Sequence, residues 1–370
     1  MRLLPALLLG LVAALAAGGC ARDDAALPEG VAAEDLPESE SWNADLRVSQ
    51  DGVPVLQIAA PYLARHTAND SSQIRLGPAD GDSARVVLRL FHDDGAPRAT
   101  LRAGRMRYDE TTGRVRARDS VEADLPGTAS IRAPDLETGA DGAFTASGGA
   151  RVELRGATPG TVRAQRIRAD SSGGFAATGG ARVRLSGASP ATVDAPTVQA
   201  SADGAFTASG GARVVLGGAA PATVEARTVR GRADGGFAAT GRARVALRGN
   251  TPATIMASSV RASPGGAFTA SGGARVVLSD PAATITARSV SGTPGGRYTA
   301  EGGARVETTG GRALTAARVV WDAGAERFRA PGAFRFVGPG EDVRGTDLVA
   351  TADLSRYSFR RASGQIEVEE

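Results

Sequence analysis

Cysteine, histidine, lysine and aromatic residues are all scarce in this chain of 370 residues. One cysteine (Cys20) and two histidines (His66, His92) exclude a disulfide framework and a zinc site, and disfavour a Cys–His catalytic pair. No metal or cofactor is expected. Lysine does not occur, so all 43 basic residues are arginine; against 40 acidic residues the net charge is only +3. The arginines are spread along the chain with acids between them, which argues against a nucleic-acid partner. Aromatics make up 4% of the chain, thin filling for conventional cores. Beyond the N-terminal segment no stretch sustains a helical periodicity, so helical domains are not expected. Glycine, in contrast, takes 49 positions and proline 19, which suits one long repetitive domain.

The chain opens with Arg2, an apolar run from Leu3 to Ala17, and then Gly18-Gly19-Cys20. A basic start, an apolar run and small residues before a cut site make an export signal over residues 1–19. The run falls short of the roughly 20 residues a bilayer span needs. Cys20 after these small residues resembles the lipobox of bacterial lipoproteins, although Ala17 stands where leucine is most usual. The resemblance implies that Cys20 is lipidated, becomes the first mature residue and anchors the protein to a membrane. Residues 20–41 are acidic, rich in alanine and proline and without periodicity, and are expected to form a flexible tether.

An internal repeat dominates the rest. FTASGGARVEL at 144–154 recurs as FAATGGARVRL, FTASGGARVVL, FAATGRARVAL, FTASGGARVVL and YTAEGGARVET. The leading aromatics Phe144, Phe175, Phe206, Phe237, Phe268 and Tyr298 are 31, 31, 31, 31 and 30 residues apart. A weaker signature, such as Val193-Ala195-Val198, extends the array from Ile58-Ala60-Leu63 to Val343-Gly345-Leu348. About ten units of ~31 residues therefore fill one domain over 42–370, nearly identical between about 140 and 310.

Comparison among units separates inside from outside. Leu154, Leu185, Leu216, Leu247 and Leu278 are invariant from unit to unit, as are the valines two residues earlier, while the residue between varies. That is a strand with one buried face. The three-residue step from Ala195 to Val198 breaks the alternation, as a bulge or bend would. Gly-Gly, Pro-Gly and Asp-Gly pairs are expected to separate the strands, where glycine accepts positive φ. The fold class is all-β, a solenoid-like stack. Its interior has two readings. Two sheets could pack tightly, or they could open along one edge into an apolar groove for acyl chains, lined by Phe144, Phe175, Phe206, Val214, Leu216, Val224, Phe237, Phe268 and Tyr298. Arg151, Arg182, Arg213, Arg244, Arg275 and Arg305 form a column on the outer face, either a solvated face that discourages edge aggregation or a ladder for phosphate.

The flanking units carry a resemblance. WNADLRVSQDG at 42–52 is followed by L-R-A-G-R-M-R-Y-D at 101–109 and T-G-R-V-R-A at 112–117. Trp321-Asp322 repeats the Tyr108-Asp109 element, and VRGTDLVATADLSRYSFRRASGQIEV at 343–368 closes the chain. In order and spacing these elements resemble the LptC and LptA (OstA-like) proteins of lipopolysaccharide export. This chain departs from typical LptC in its lipoprotein signal and its roughly five extra units. The resemblance implies an elongated β-jellyroll, the β-taco, in the periplasm. It implies a protein that takes lipopolysaccharide from an inner-membrane ABC export complex and passes it to an LptA-like jellyroll. It favours the inner membrane for the anchor. The competing reading is a structural or adhesive β-solenoid surface lipoprotein without a ligand. An enzyme is not expected: Asp109 and Glu110 beside Thr111, and Asp353 near Ser355, have the look of turn chemistry with no base or metal to activate them.

Overall fold

Valine, isoleucine, threonine and aromatic residues at alternating positions suit a pleated, half-buried surface, and the computed structural model is built from strands alone. It describes residues 36–366 except 69–70, 79–83, 156–158, 187–189, 218–220 and 249–251; the export signal, Cys20 and most of the tether lie outside the described residues. The sheet opens with β1 (Ser39–Gln50), β2 (Val53–Ala68), β3 (Ser71–Gly77), β4 (Val86–Phe91), β5 (Pro97–Ala103) and β6 (Arg105–Asp109). A regular meander begins with β7 (Arg114–Leu125), β8 (Ala129–Thr138), β9 (Phe144–Leu154), β10 (Gly160–Ala169), β11 (Phe175–Leu185), β12 (Ala191–Ala200), β13 (Phe206–Leu216) and β14 (Ala222–Gly231). It continues through β15 (Phe237–Leu247), β16 (Ala253–Ala262), β17 (Phe268–Leu278), β18 (Ala283–Gly292), β19 (Arg297–Thr308), β20 (Ala313–Asp322), β21 (Arg327–Gly338) and β22 (Glu341–Thr351). Finally β23 (Tyr357–Ser358) and β24 (Arg361–Ile366) both pair with β22. All pairings are antiparallel.

Each layer is interrupted halfway along. Between β12 and β13 the ladder breaks after Asp194 opposite Arg213 and resumes at Thr197 opposite Ser209. The equivalent slip recurs at every pairing from β7 to β22. The three-residue step from Ala195 to Val198 is therefore a bend. The opposite strand bends at Gly210 and Gly211, with φ of +89° and +98°. The glycine pairs of the FTASGGARV units thus lie in mid-strand rather than between strands, which corrects the expectation from sequence. Their positive φ turns the chain without ending it. The connections between strands instead use turns such as that around Asp203-Gly204, where the Ala205 amide donates to Asp203 Oδ1 at 3.0 Å.

Stacked over the layers, these bends make one crease that divides the sheet into two wings. Val193, Val198, Val214 and Val224, from both wings, are fully buried and belong to one continuous apolar core. No helix or second sheet exists among the described residues to cover that face. Burial must come from the sheet folding on itself along the crease, wing against wing. β3 with β4, β5 with β6, and β23 with β24 each make one layer split near the crease, so the 24 strands form 21 layers. At about 4.8 Å per layer the stack is about 95 Å long. Each unit of the sequence contributes two layers.

Such a stack should tolerate removal of whole units. Deleting residues 175–236 removes β11 to β14 and places Phe237 where Phe175 stood, opposite Ala169. The shortened protein should fold cooperatively and be shorter by four layers, about 19 Å in the maximum dimension from small-angle X-ray scattering. Loss of β structure would instead indicate a fixed strand number, as in a closed barrel.

Candidate functional site

The fold offers two surfaces of different chemistry, one between the wings and one outside along the crease. The nine interior positions picked out by sequence all point between the wings. Phe144, Phe175, Phe206, Phe237 and Phe268 head the strands β9, β11, β13, β15 and β17, and Tyr298 stands one residue inside β19. They are buried, Phe206 at 7% exposure, and Phe268 touches Tyr298 at 5.7 Å between ring centroids. Val214 and Val224 are directly opposite one another and fully buried. Leu216 closes β13 at the far end and is half-buried.

These positions define a mouth. Each odd strand from β9 to β17 runs from an aromatic, through the crease, to a leucine, so both ends lie farthest from the crease and face each other. The mouth of the folded sheet is thus lined by an aromatic column on one wing and a leucine column on the other. Leu154, Leu185 and Leu216 are half-buried, whereas Leu247 and Leu278 are buried, so the seal is looser over β9 to β13.

Among the described residues, polar links cross the mouth only near its ends. Arg98, on β5, donates through Nη2 to the Ala140 carbonyl beyond β8 at 2.6 Å. At the other end the Tyr357 hydroxyl donates to Glu341 Oε2 at 2.8 Å, and its ring lies 4.6 Å from that of Phe336. Burial, and then this hydrogen bond, push the Tyr357 phenol up to about 12, so it keeps its proton. Between the two clasps, from β9 to β19, no hydrogen bond among the described residues joins one wing to the other across the mouth. Sequence reasoning missed both clasps, because neither partner lies in the repeat.

The carboxylates beside hydroxyls lie in turns. Asp109 Oδ1 accepts the Thr112 amide at 2.8 Å, and this bond holds the carboxyl below its usual range. Asp353 accepts from the Thr351 hydroxyl, the Ser355 amide and the Ser355 hydroxyl, which lower it further.

Outside the crease runs a groove of about 1160 Å³ from β9 to β15. Ala150, Ala164, Ala181, Ala195, Ala212 and Ala226 form its floor, and arginines flank it. The outer arginine column includes more than the sequence suggested, because the register inserts residues of the even strands. Arg132, Arg151, Arg163 and Arg182 stand directly opposite one another on β8, β9, β10 and β11. Further along, Asp194 and Glu225 intervene and pair with Arg182 at 2.5 Å and Arg213 at 2.7 Å. The Asp194 hydrogen bond raises the Arg182 guanidinium further still.

Comparison of the chain with known protein families finds no family that matches, and comparison with curated proteins finds no similar sequence. The resemblance to the LptC and LptA group therefore stands on the motifs of the flanking units alone.

Proposed function

We propose that this protein is a periplasmic lipid carrier of the LptC kind, which holds the acyl chains of lipopolysaccharide between its wings. In this reading it receives the lipid from an inner-membrane ABC export complex and hands it to an LptA-like jellyroll, tethered by a lipid on Cys20. The observation that carries the reading is the mouth from β9 to β19, where, among the described residues, aromatic and leucine side chains meet and no hydrogen bond joins one wing to the other. The wings can part there by turning about the glycine crease while the ladder hydrogen bonds between neighbouring layers of each wing stay in place. Acyl chains would then replace the contacts of one wing with the other, apolar for apolar. The half-buried leucines place the easiest opening over β9 to β13.

The ends suit handover. Among the described residues β1 pairs only with β2, and β24 only with β22, so each end of the stack presents an edge on which another strand can add. Trp42 on β1 is 61% exposed. We assign the β1 edge, which carries Trp42, to the transporter side and the edge from Tyr357 to Ile366 to the next jellyroll; Ile58, which sequence placed on the first edge, lies on β2 and is paired on both sides.

The second reading, a ligand-free spacer, is favoured by the complete burial of the inward valines. Photo-crosslinking separates the two. A photoreactive residue at Phe206 should capture lipopolysaccharide in cells, and one at Val215, which is 37% exposed on the outer face, should not. In a spacer the replacement at Phe206 would only destabilise the core, by about 1–3 kcal/mol, and capture nothing.

A further inference from the structure

We propose that the groove outside the crease binds a linear anionic polysaccharide, with Arg163, Arg242 and Arg244 as its unpaired cationic contacts. This site is separate from the space between the wings and does not depend on lipid carriage.

Two independent departures from the fold's own economy meet in this groove. The first is backbone strain. At the second crease position the units carry Gly149, Gly180, Gly211, Gly273 and Gly303, all with positive φ. The unit at β15 has Arg242 there instead, at φ +59°, a conformation that a residue with a Cβ adopts only at a cost. The crease of β7 also takes non-glycine residues, Asp119 and Ser120 at φ +68° and +59°, but there Asp119 holds Arg105 at 2.6 Å. Arg242 is the exception within the near-identical units and makes no ion pair among the described residues, and a ligand would supply its partner. The second is charge. Like charges directly opposite on neighbouring strands repel, yet Arg132, Arg151, Arg163 and Arg182 occupy four successive layers. Arg163 lies inside this run and makes no ion pair among the described residues. Of the six arginines that line the groove, Arg151, Arg182 and Arg213 pair with Glu153, Asp194 and Glu225, which leaves Arg163, Arg242 and Arg244 without an ion pair among the described residues.

Shape selects the ligand. The groove crosses seven layers, about 29 Å, perpendicular to the strands, and the odd-strand arginines recur every second layer, about 9.6 Å apart. A chain with acid groups at intervals along an extended backbone matches this pattern, and guanidinium binds carboxylate or sulfate through paired hydrogen bonds. No aromatic side chain lines the groove, so it lacks the stacking platforms that single-stranded nucleic acid uses. The alanine and glycine floor lets a thick, hydrated polymer lie close to the backbone.

The test uses the full chain and alginate oligosaccharides, a linear polyuronate, with neutral dextran and an oligothymidylate as comparison ligands. Alginate should bind in a salt-dependent manner and dextran should not. The combined variant Arg163→Gln, Arg242→Gly, Arg244→Gln should bind about tenfold more weakly. The variant Arg168→Gln, Arg230→Gln, Arg261→Gln removes the same charge from the outer face of the other wing and should change binding less than about twofold. Arg242→Gly alone should raise the melting temperature while weakening alginate binding, a pair of effects that a merely structural arginine would not give. Equal losses in the two triple variants would reduce the site to diffuse charge and overturn the proposal. So would the absence of alginate binding at low salt, or oligothymidylate binding as tight as alginate with the same dependence on Arg163, Arg242 and Arg244.

Discussion

Val214→Asp should split the stack. Val214 is fully buried on β13 with Val193 opposite on one side and Val224 on the other. An aspartate there faces only apolar side chains of the opposite wing, with no donor to satisfy it. The destabilisation should be at least about 4 kcal/mol at neutral pH. Because backbone pairing runs only between neighbouring layers, the damage should stay local, and thermal unfolding should separate into two transitions instead of one. Burial raises the pKa of this carboxyl above its unfolded value of about 3.9. The folded state therefore holds the proton more tightly, and the variant loses stability as pH rises from the unfolded towards the folded pKa. The difference from the parent protein should accordingly be smaller at pH 4 than at pH 7, as read by denaturant unfolding at both.

Alanine in the crease should be nearly as damaging, and the two glycines of a pair should differ. A Cβ on Gly210 would lie 3.0 Å from both Cβ and Cγ of Pro196 on β12, in addition to the backbone strain at φ +89°. A Cβ on Gly211 would meet nothing within 4 Å. Gly211→Ala should then cost about 1–2 kcal/mol from backbone strain alone. Gly210→Ala should cost about 2–4 kcal/mol, because the proline ring must also move. Equal effects in denaturant titrations would mean that the crease is not held by the stacking of first glycines on the strand before. A loss of lipid capture in Gly210→Ala with little loss of stability would instead locate the hinge of the wings there.

The strand faces were legible because the chain reports on itself: five leucines and five valines unchanged beside a varying neighbour can only be the inside of a repeated strand. The ten units and the bend at Ala195 to Val198 followed from the same comparison. The glycine pairs were not legible. A Gly-Gly allows positive φ equally well at a turn or within a strand, and only the ladder shows that Phe206 to Leu216 is one strand with the pair at its middle. The arginine run was hidden for another reason. Arg163 lies on an even strand, in a position that is aspartate, glutamate, methionine or threonine in later units, so within-unit comparison gives it no weight. Its neighbours Arg151 and Arg182 are set by cross-strand register, which no single strand encodes. Arg98 and Tyr357 reach partners that sequence distance separates from them and that no periodicity marks.

Sequential pairing also sets how the protein answers to force. A load applied between β1 and β24 pulls along the stack, perpendicular to the strands. The layers then peel one after another, each row of hydrogen bonds loaded in turn, where a pull along the strands would shear a whole row at once. Each 31-residue unit released frees about 105 Å of extended chain. A molecule with one continuous core would still yield to tension in small, regular steps. Strung between two membranes, it would lengthen before either attachment gave way.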